Sequence, residues 1–254
     1  MPTSAPVLRS YDRGIATLTL DSPRNRNALS AGLITELTRA LAEESSDVDV
    51  RAILITHTGP VFCAGIDVRE ALGTADHATG PRQVLGLFRE IAGSPKPVVA
   101  RVTGHARAAG LALLGACDIA VAATSATFAI TDVRLGLTPV ISSTTLLPRL
   151  DGRAMSRYFL AGERFDAAEA ARIGLVSAAA DDVDEALAPV LDGLRGAAPA
   201  ALAATKQLTA AAIRGSLEQE ADTAATCAAQ IITTEEAREG IASFLERREP
   251  NWRR

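Results

Sequence analysis

Three cysteines, Cys63, Cys117 and Cys227, stand far apart in a chain of 254 residues. An odd number at such spacing makes no disulfide framework and no CxxC metal knuckle, and it fits a reducing, cytoplasmic setting. Aromatic residues are only 4% of the chain, too few for stacking platforms that hold single-stranded nucleic acid. Positive charge is not in excess either. The formal net charge is −4, so the basic field of a DNA or RNA binder is missing. Lysine is nearly absent, with Lys96 and Lys206 set against twenty-four arginines. No apolar run is long enough to span a bilayer, since the longest, residues 111–123, contains Asp118. Residues 1–10 lack the basic start and apolar stretch of a signal peptide. Nucleic-acid and membrane partners are not expected.

Several active-site signatures are missing as well. There is no GxxxxGK[ST] phosphate loop, no GxGxxG after a strand and no GxSxG elbow. His57, His77 and His105 stand singly, without the spacing or cysteine companions of a zinc site, and read as hydrogen-bonded structural residues.

What is present is ordinary globular composition, 48% hydrophobic and 22% charged, with alanine at about a fifth of the chain. The fold class read from the pattern is α/β. Residues 15–20 alternate as a half-buried strand does, while 52–55 and 98–100 are short unbroken apolar runs suited to strands covered on both faces. Residues 119–121 and 127–130 read as further strands. Ser30 is placed to cap a helix with the stripe Leu33, Ile34, Leu37 and Leu41. Asp166 and Glu169 form a capping-box pattern for a helix that stops at Gly174. Beyond residue 177 the chain reads as helix almost throughout. The expected tail helices run from Pro199 to Gly215, from Ser216, and from Thr233. A core over residues 1–195 and a helical region over 196–254 is the expected division.

Two small-residue segments stand out, VFCAGIDV over residues 61–68 and VTGHARAAGL over 102–111. Each follows a strand and leads toward a helix. Small side chains there let a ligand oxygen approach free N–H groups, and two such groups converging on one carbonyl make an oxyanion hole. The plainer reading is tight strand–helix packing.

These segments carry a resemblance. Together with LDSPRNRNALS (20–30), PVVARVTG (97–104), CDI (117–119), Phe128, DVRLG (132–136), GERFDAAE (162–169), ARIGLV (171–176) and FLERR (244–248), they make the chain resemble the crotonase superfamily, the enoyl-CoA hydratase/isomerase family. The resemblance implies a spiral of ββα units and a C-terminal helical region that packs in homotrimers, often paired into homohexamers. It also implies an acyl-CoA thioester substrate, and no cofactor beyond the coenzyme A that the substrate carries. Carried over by position, the oxyanion-hole amides belong to Ile66 and Ala109. Coenzyme A contacts fall at Arg24, Arg26, Ala28, Ala64, Asp67, Val68 and Gly110. Asp67 reads more as a brace for its loop than as a catalytic group. Arg24, Arg26 and Arg69 lie where the family often carries basic residues for the CoA phosphates, or they are solvated surface charges. Residues 71–87 occupy the place where the family shapes its acyl-tail pocket, and they read as a mobile segment of mixed character.

The chain also departs from the family. Hydratases of this type use two glutamates on one water, and the first position here is Ala112, which has no proton to give or take. The second is Asp132, in ITDVR over residues 130–134. The stretch DVRLGLTPVIS (132–142) is similar to the methylglutaconyl-CoA hydratase branch. Three readings follow: a lyase or isomerase, nominally an enoyl-CoA hydratase, with Asp132 as sole general acid/base; an acyl-CoA-binding homologue with little or no hydratase chemistry; or a structural subunit of a mixed oligomer.

Overall fold

A computed structural model describes residues 5–73 and 76–253. The chain opens with an antiparallel hairpin of β1 (Val7–Asp12) and β2 (Ile15–Leu20), turning at Gly14 with φ +80°. In β2, Ala16, Leu18 and Leu20 are buried, and Thr17 and Thr19 between them are half-buried. β3 (Ala52–His57) is buried along its whole length, as its apolar run requires.

From β3 onward the chain winds in ββα turns, each giving one strand to each of two sheets. β5 (Val98–Val102), β7 (Ile119–Ala123) and β10 (Ala178–Ala180) continue the large sheet, in the order β1-β2-β3-β5-β7-β10, parallel from β2 on. β4 (Val61–Cys63), β6 (His105–Arg107) and β8 (Thr127–Ala129) form the small sheet in parallel, and β9 (Arg164–Asp166) closes it antiparallel to β8. This is the α/β spiral of ββα units expected above.

Helices cover both faces of the large sheet. Ser30 Oγ accepts from Leu33 N–H at 3.3 Å and opens α1 (Ala31–Ser46), whose expected stripe is buried. After α2 (Val68–Gly73) comes α3 (Thr79–Gly93), which buries Val84, Leu85, Leu87, Phe88 and Ile91. The segment expected to be mobile is therefore largely helix with an apolar face, apart from residues 74 and 75, which lie outside the described residues. Every residue of α4 (Ala109–Ala116) is buried, and α5 (Val140–Leu146) packs against it. Asp151 caps α6 (Gly152–Ala161). Asp166 caps α7 (Ala167–Arg172) by accepting from Glu169 N–H at 2.9 Å. The Glu169 carboxylate turns instead to Tyr158 and Arg172, so only half of the expected capping box forms. On the opposite face, α8 (Val183–Gly196) lays Val183 and Leu187 over Ile15, Leu54, Val99 and Val121.

The tail differs from expectation in two places. α9 (Pro199–Thr209) and α10 (Ala211–Ile231) break at Ala210, not at Gly215, and Ser216 lies inside α10. Packing decides this. Ile213, Leu217, Ala221 and Ala224 recur at helical spacing and are buried, so the helix must begin before Ser216. The last helix, α11 (Glu235–Glu246), is capped by Thr234 rather than Thr233, with Thr234 Oγ1 accepting from Ala237 N–H at 3.2 Å. α10 packs on α3 and α5, and Leu217 and Ala225 belong to the main core, so the helices past Gly196 are built into the body of the protein. Among the described residues, no helix is long and apolar enough to cross a membrane.

Candidate active site

The small sheet puts three loops side by side. β4, β6 and β8 are parallel neighbours, so the loops after Cys63, Arg107 and Ala129 leave from the same sheet edge. Ile66, Ala109 and Asp132 each follow within three residues of a strand end. Ligand sites of parallel sheets gather at such strand ends.

Backbone contacts lock the first two loops together. Gly65 has φ +93°, and a Cβ on it would stand 3.0 Å from the Ala108 Cβ and 3.3 Å from Ala109 N. Any Cβ on Gly110 would collide with the Cys63 carbonyl. Ala108 N–H donates to Ala129 O at 2.9 Å, tying the second loop to the third. Ala108 itself adopts φ 48°, ψ −125°, a strained conformation for a residue with a Cβ. On the other side Ala64 N–H donates to Arg26 O at 3.1 Å, and Leu29 N–H to Gly65 O at 2.7 Å. Among the described residues, neither Ile66 N–H nor Ala109 N–H has an acceptor. Amides so placed can donate to an oxygen that enters between the loops.

The remaining family positions gather around this pair. Asp67 Oδ1 accepts from Arg69 N–H at 3.1 Å, and its Oδ2 from Asn25 Nδ2 at 3.2 Å, which braces the loop. Val68 begins α2, and Ala28 is buried beside Leu29. Arg24, Arg26 and Arg69 are exposed, with Arg24 and Arg26 in or beside the turn Pro23–Asn25. Sequence reasoning missed Asn27. Its fully buried side chain accepts from Ser22 N–H at 2.7 Å and donates to Thr58 O and Val61 O. The signal available was an asparagine in a turn, since Asn tolerates the left-handed φ of 52° found here.

Asp132 begins a short turn that α11 covers closely. A Cβ on Gly240 of α11 would collide with the Leu135 backbone, and one on Gly136 with the Glu236 carbonyl. Asp132 as a residue is half-buried, while its Oδ2 is shut off from solvent and has no hydrogen-bond partner among the described residues. Burial pushes the carboxyl up to about 6 from its ordinary 3.8. Ala112, where the resemblance would place a glutamate, is fully buried in α4.

The two buried cysteines and the three histidines are spoken for. Burial pushes the thiols of Cys63 and Cys117 up to about 12, which leaves them unreactive. His57 Nε2 accepts from Thr103 N–H at 3.1 Å, His105 Nδ1 accepts from Thr127 N–H at 3.2 Å, and His77 Nδ1 lies 3.2 Å from Ala71 O. All three are tied to backbone, as expected. Among the described residues, no three His, Cys, Asp or Glu side chains come together as a metal-ligating group.

The two-sheet spiral, with paired amide loops at the ends of its parallel strands, defines a protein of the crotonase fold. The profile of the Enoyl-CoA hydratase/isomerase family matches residues 10–254, and the chain belongs to that family. It is 34% identical to mouse enoyl-CoA hydratase domain-containing protein 2, mitochondrial, over 97% of this chain and 86% of that protein. To human methylglutaconyl-CoA hydratase, mitochondrial, it is 32% identical over 97% of this chain and 76% of that one. Among solved structures, an enoyl-CoA hydratase from Mycobacterium avium superposes with TM-score 0.91 at 42% identity, covering 98% of this chain and all of that one.

Proposed function

We propose that the protein hydrates an α,β-unsaturated acyl-CoA thioester, with Asp132 as the only general acid/base. The amides of Ile66 and Ala109 form the oxyanion hole for the thioester oxygen. The Asp132 carboxylate takes a proton from water as the water oxygen bonds to C3, and the C2–C3 π electrons move toward that thioester oxygen. Asp132 then returns the proton to C2, so one carboxyl serves both steps and water is added across the double bond. Each amide of such a hole is worth ~3–4 kcal/mol in the transition state. Arg24, Arg26 and the loop residues Ala28, Ala64, Asp67, Val68 and Gly110 hold the coenzyme A portion. The active particle is a homotrimer or homohexamer of a cytoplasmic protein, and no metal or redox group takes part.

The observation that carries this reading is the coincidence, at one sheet edge, of two amides without acceptors and a buried carboxyl oxygen, Asp132 Oδ2, without a partner among the described residues. The test is hydration of a panel of enoyl-CoA thioesters, followed by loss of the conjugated-thioester absorbance. Turnover that disappears in Asp132→Asn supports the reading, and full turnover in that variant overturns it.

The fully buried Ala112 favours a second reading, an acyl-CoA-binding homologue without hydratase chemistry. Tight binding of acyl-CoA by the wild type, with no product from any enoyl thioester, would select it.

A further inference from the structure

The short helix α5 carries four consecutive hydroxyls, and one of them differs from the rest. Ser143 Oγ donates to Val140 O at 2.7 Å, Thr144 Oγ1 to Ile141 O at 2.8 Å, and Thr145 Oγ1 to Ala112 O at 2.9 Å. Ser142 is 1% exposed, and its Oγ has no partner among the described residues. A buried hydroxyl ordinarily bonds back to its own helix or across to a neighbour, because leaving it bare costs free energy. Ser142 does neither.

Its direction follows from its neighbours on the helix. Residues three and four places on, Thr145 and Leu146, both press against α4, where a Cβ on Gly115 would meet Leu146 Cδ2 at 2.9 Å and Thr145 Oγ1 at 3.0 Å. Residues at i, i+3 and i+4 share a helix face, so Ser142 faces α4 as well. The sense of the packing is also fixed. Further along the chain, Arg149 reaches Gly115 O and Cys117 O, at the far end of α4. Going back one turn from Thr145 therefore moves toward the near end of α4, which carries Ala112 and then the free amide of Ala109.

We propose that the Ser142 hydroxyl is the second polar contact on the reacting water, opposite Asp132, and fills the role left open by Ala112. This rests on the hydratase reading above. A hydroxyl cannot replace a glutamate as an acid or base, but it can hold a water oxygen with one donor and two acceptor positions. That division leaves the proton traffic to Asp132 and the placement of the water to Ser142. After addition, the same water oxygen is the 3-hydroxyl of the product, so Ser142 contacts that hydroxyl too.

The test compares wild type and Ser142→Ala by titration with two ligands, 3-hydroxyhexanoyl-CoA and hexanoyl-CoA, alongside thermal unfolding. One hydrogen bond lost should weaken 3-hydroxyhexanoyl-CoA binding about tenfold and leave hexanoyl-CoA unchanged. Enoyl-CoA turnover should fall in parallel, and the thermal midpoint should stay level or rise, because the hydroxyl removed satisfies nothing within the protein. Equal effects on both ligands, no effect on either, or a lowered midpoint would overturn the role of Ser142. Failure of the wild type itself to bind either thioester would instead bring down the hydratase reading.

Discussion

The ammonium of Lys206 on α9 lies 2.8 Å from the Asp118 carboxylate, and both are largely withdrawn from solvent. The same Nζ donates to Ile91 O at 2.7 Å and Lys96 O at 2.9 Å, while Asp118 Oδ2 accepts from Val98 N–H at 2.7 Å. One compact ion pair thus joins the tail to the end of α3, to the start of β5 and to the residue before β7. A compact ammonium with three donors fits this nest; the wider, planar guanidinium of arginine does not.

Lys206→Met should therefore be costly. It strands the Asp118 charge and two buried carbonyls, and breaking a buried pair of this kind costs about 3–5 kcal/mol. Urea unfolding measures it. Lys206→Met combined with Asp118→Asn should recover part of the loss, because the stranded charge is then gone.

The raised Asp132 carboxyl makes both stability and rate depend on pH. Its folded-state value of about 6 lies above the ordinary 3.8, so between these pH values the folded chain holds a proton that the unfolded chain releases. The associated stability is fully present below about pH 4 and is lost as pH rises through about 6. Asp132→Asn should accordingly be more stable than wild type at pH 7 by about 1–3 kcal/mol, and level with it at pH 4. In the wild type, kcat/KM should climb with pH and flatten above about 6, since the carboxylate is the form that takes the first proton. Parallel unfolding curves at the two pH values, and a pH–rate profile, check both statements.

Ala108→Gly should stabilise the fold. Ala108 holds φ 48°, ψ −125°, which glycine adopts without a Cβ clash, and relief of such strain is worth about 1–3 kcal/mol less the added entropy of glycine when unfolded. A net rise in unfolding free energy of about 1 kcal/mol is expected. Ala109 N–H keeps its place in this variant, so acyl-CoA binding should be retained.

Gly240→Ala should act at a distance. A Cβ there meets the Leu135 backbone, so either α11 lifts or the turn that begins at Asp132 shifts. A displacement of ~1 Å costs about a hundredfold where a reaction needs tight positioning. The expected outcome is a large drop in kcat with little change in KM. Gly215→Ala, where a Cβ meets nothing within 4 Å, serves as the control and should behave as wild type.

Much of this architecture is legible in the sequence. Unbroken apolar runs located β3 and β5, and the serine before the Leu33 stripe located the start of α1, because burial and capping leave local marks. The two small-residue loops were legible for the same reason, since close backbone approach demands small side chains. Ser216 misled because a local cap pattern was outweighed by the buried stripe of α10, which only its packing against α3 and α5 makes decisive. The role of Asn27 was hidden because its acceptors lie far along the chain, at Thr58 and Val61. Ser142 was invisible for a deeper reason. What distinguishes it is a bond that it does not make, and no sequence pattern records that.

The scarcity of lysine has a practical corollary. A protease that cuts only after lysine finds two targets here, and the first, Lys96, is followed by Pro97. The second, Lys206, is 5% exposed and bound through its ammonium on three sides. Cleavage at Lys206 must therefore wait until α9 leaves its seat, so the rate of cutting reports how often the buried Lys206–Asp118 pair comes open.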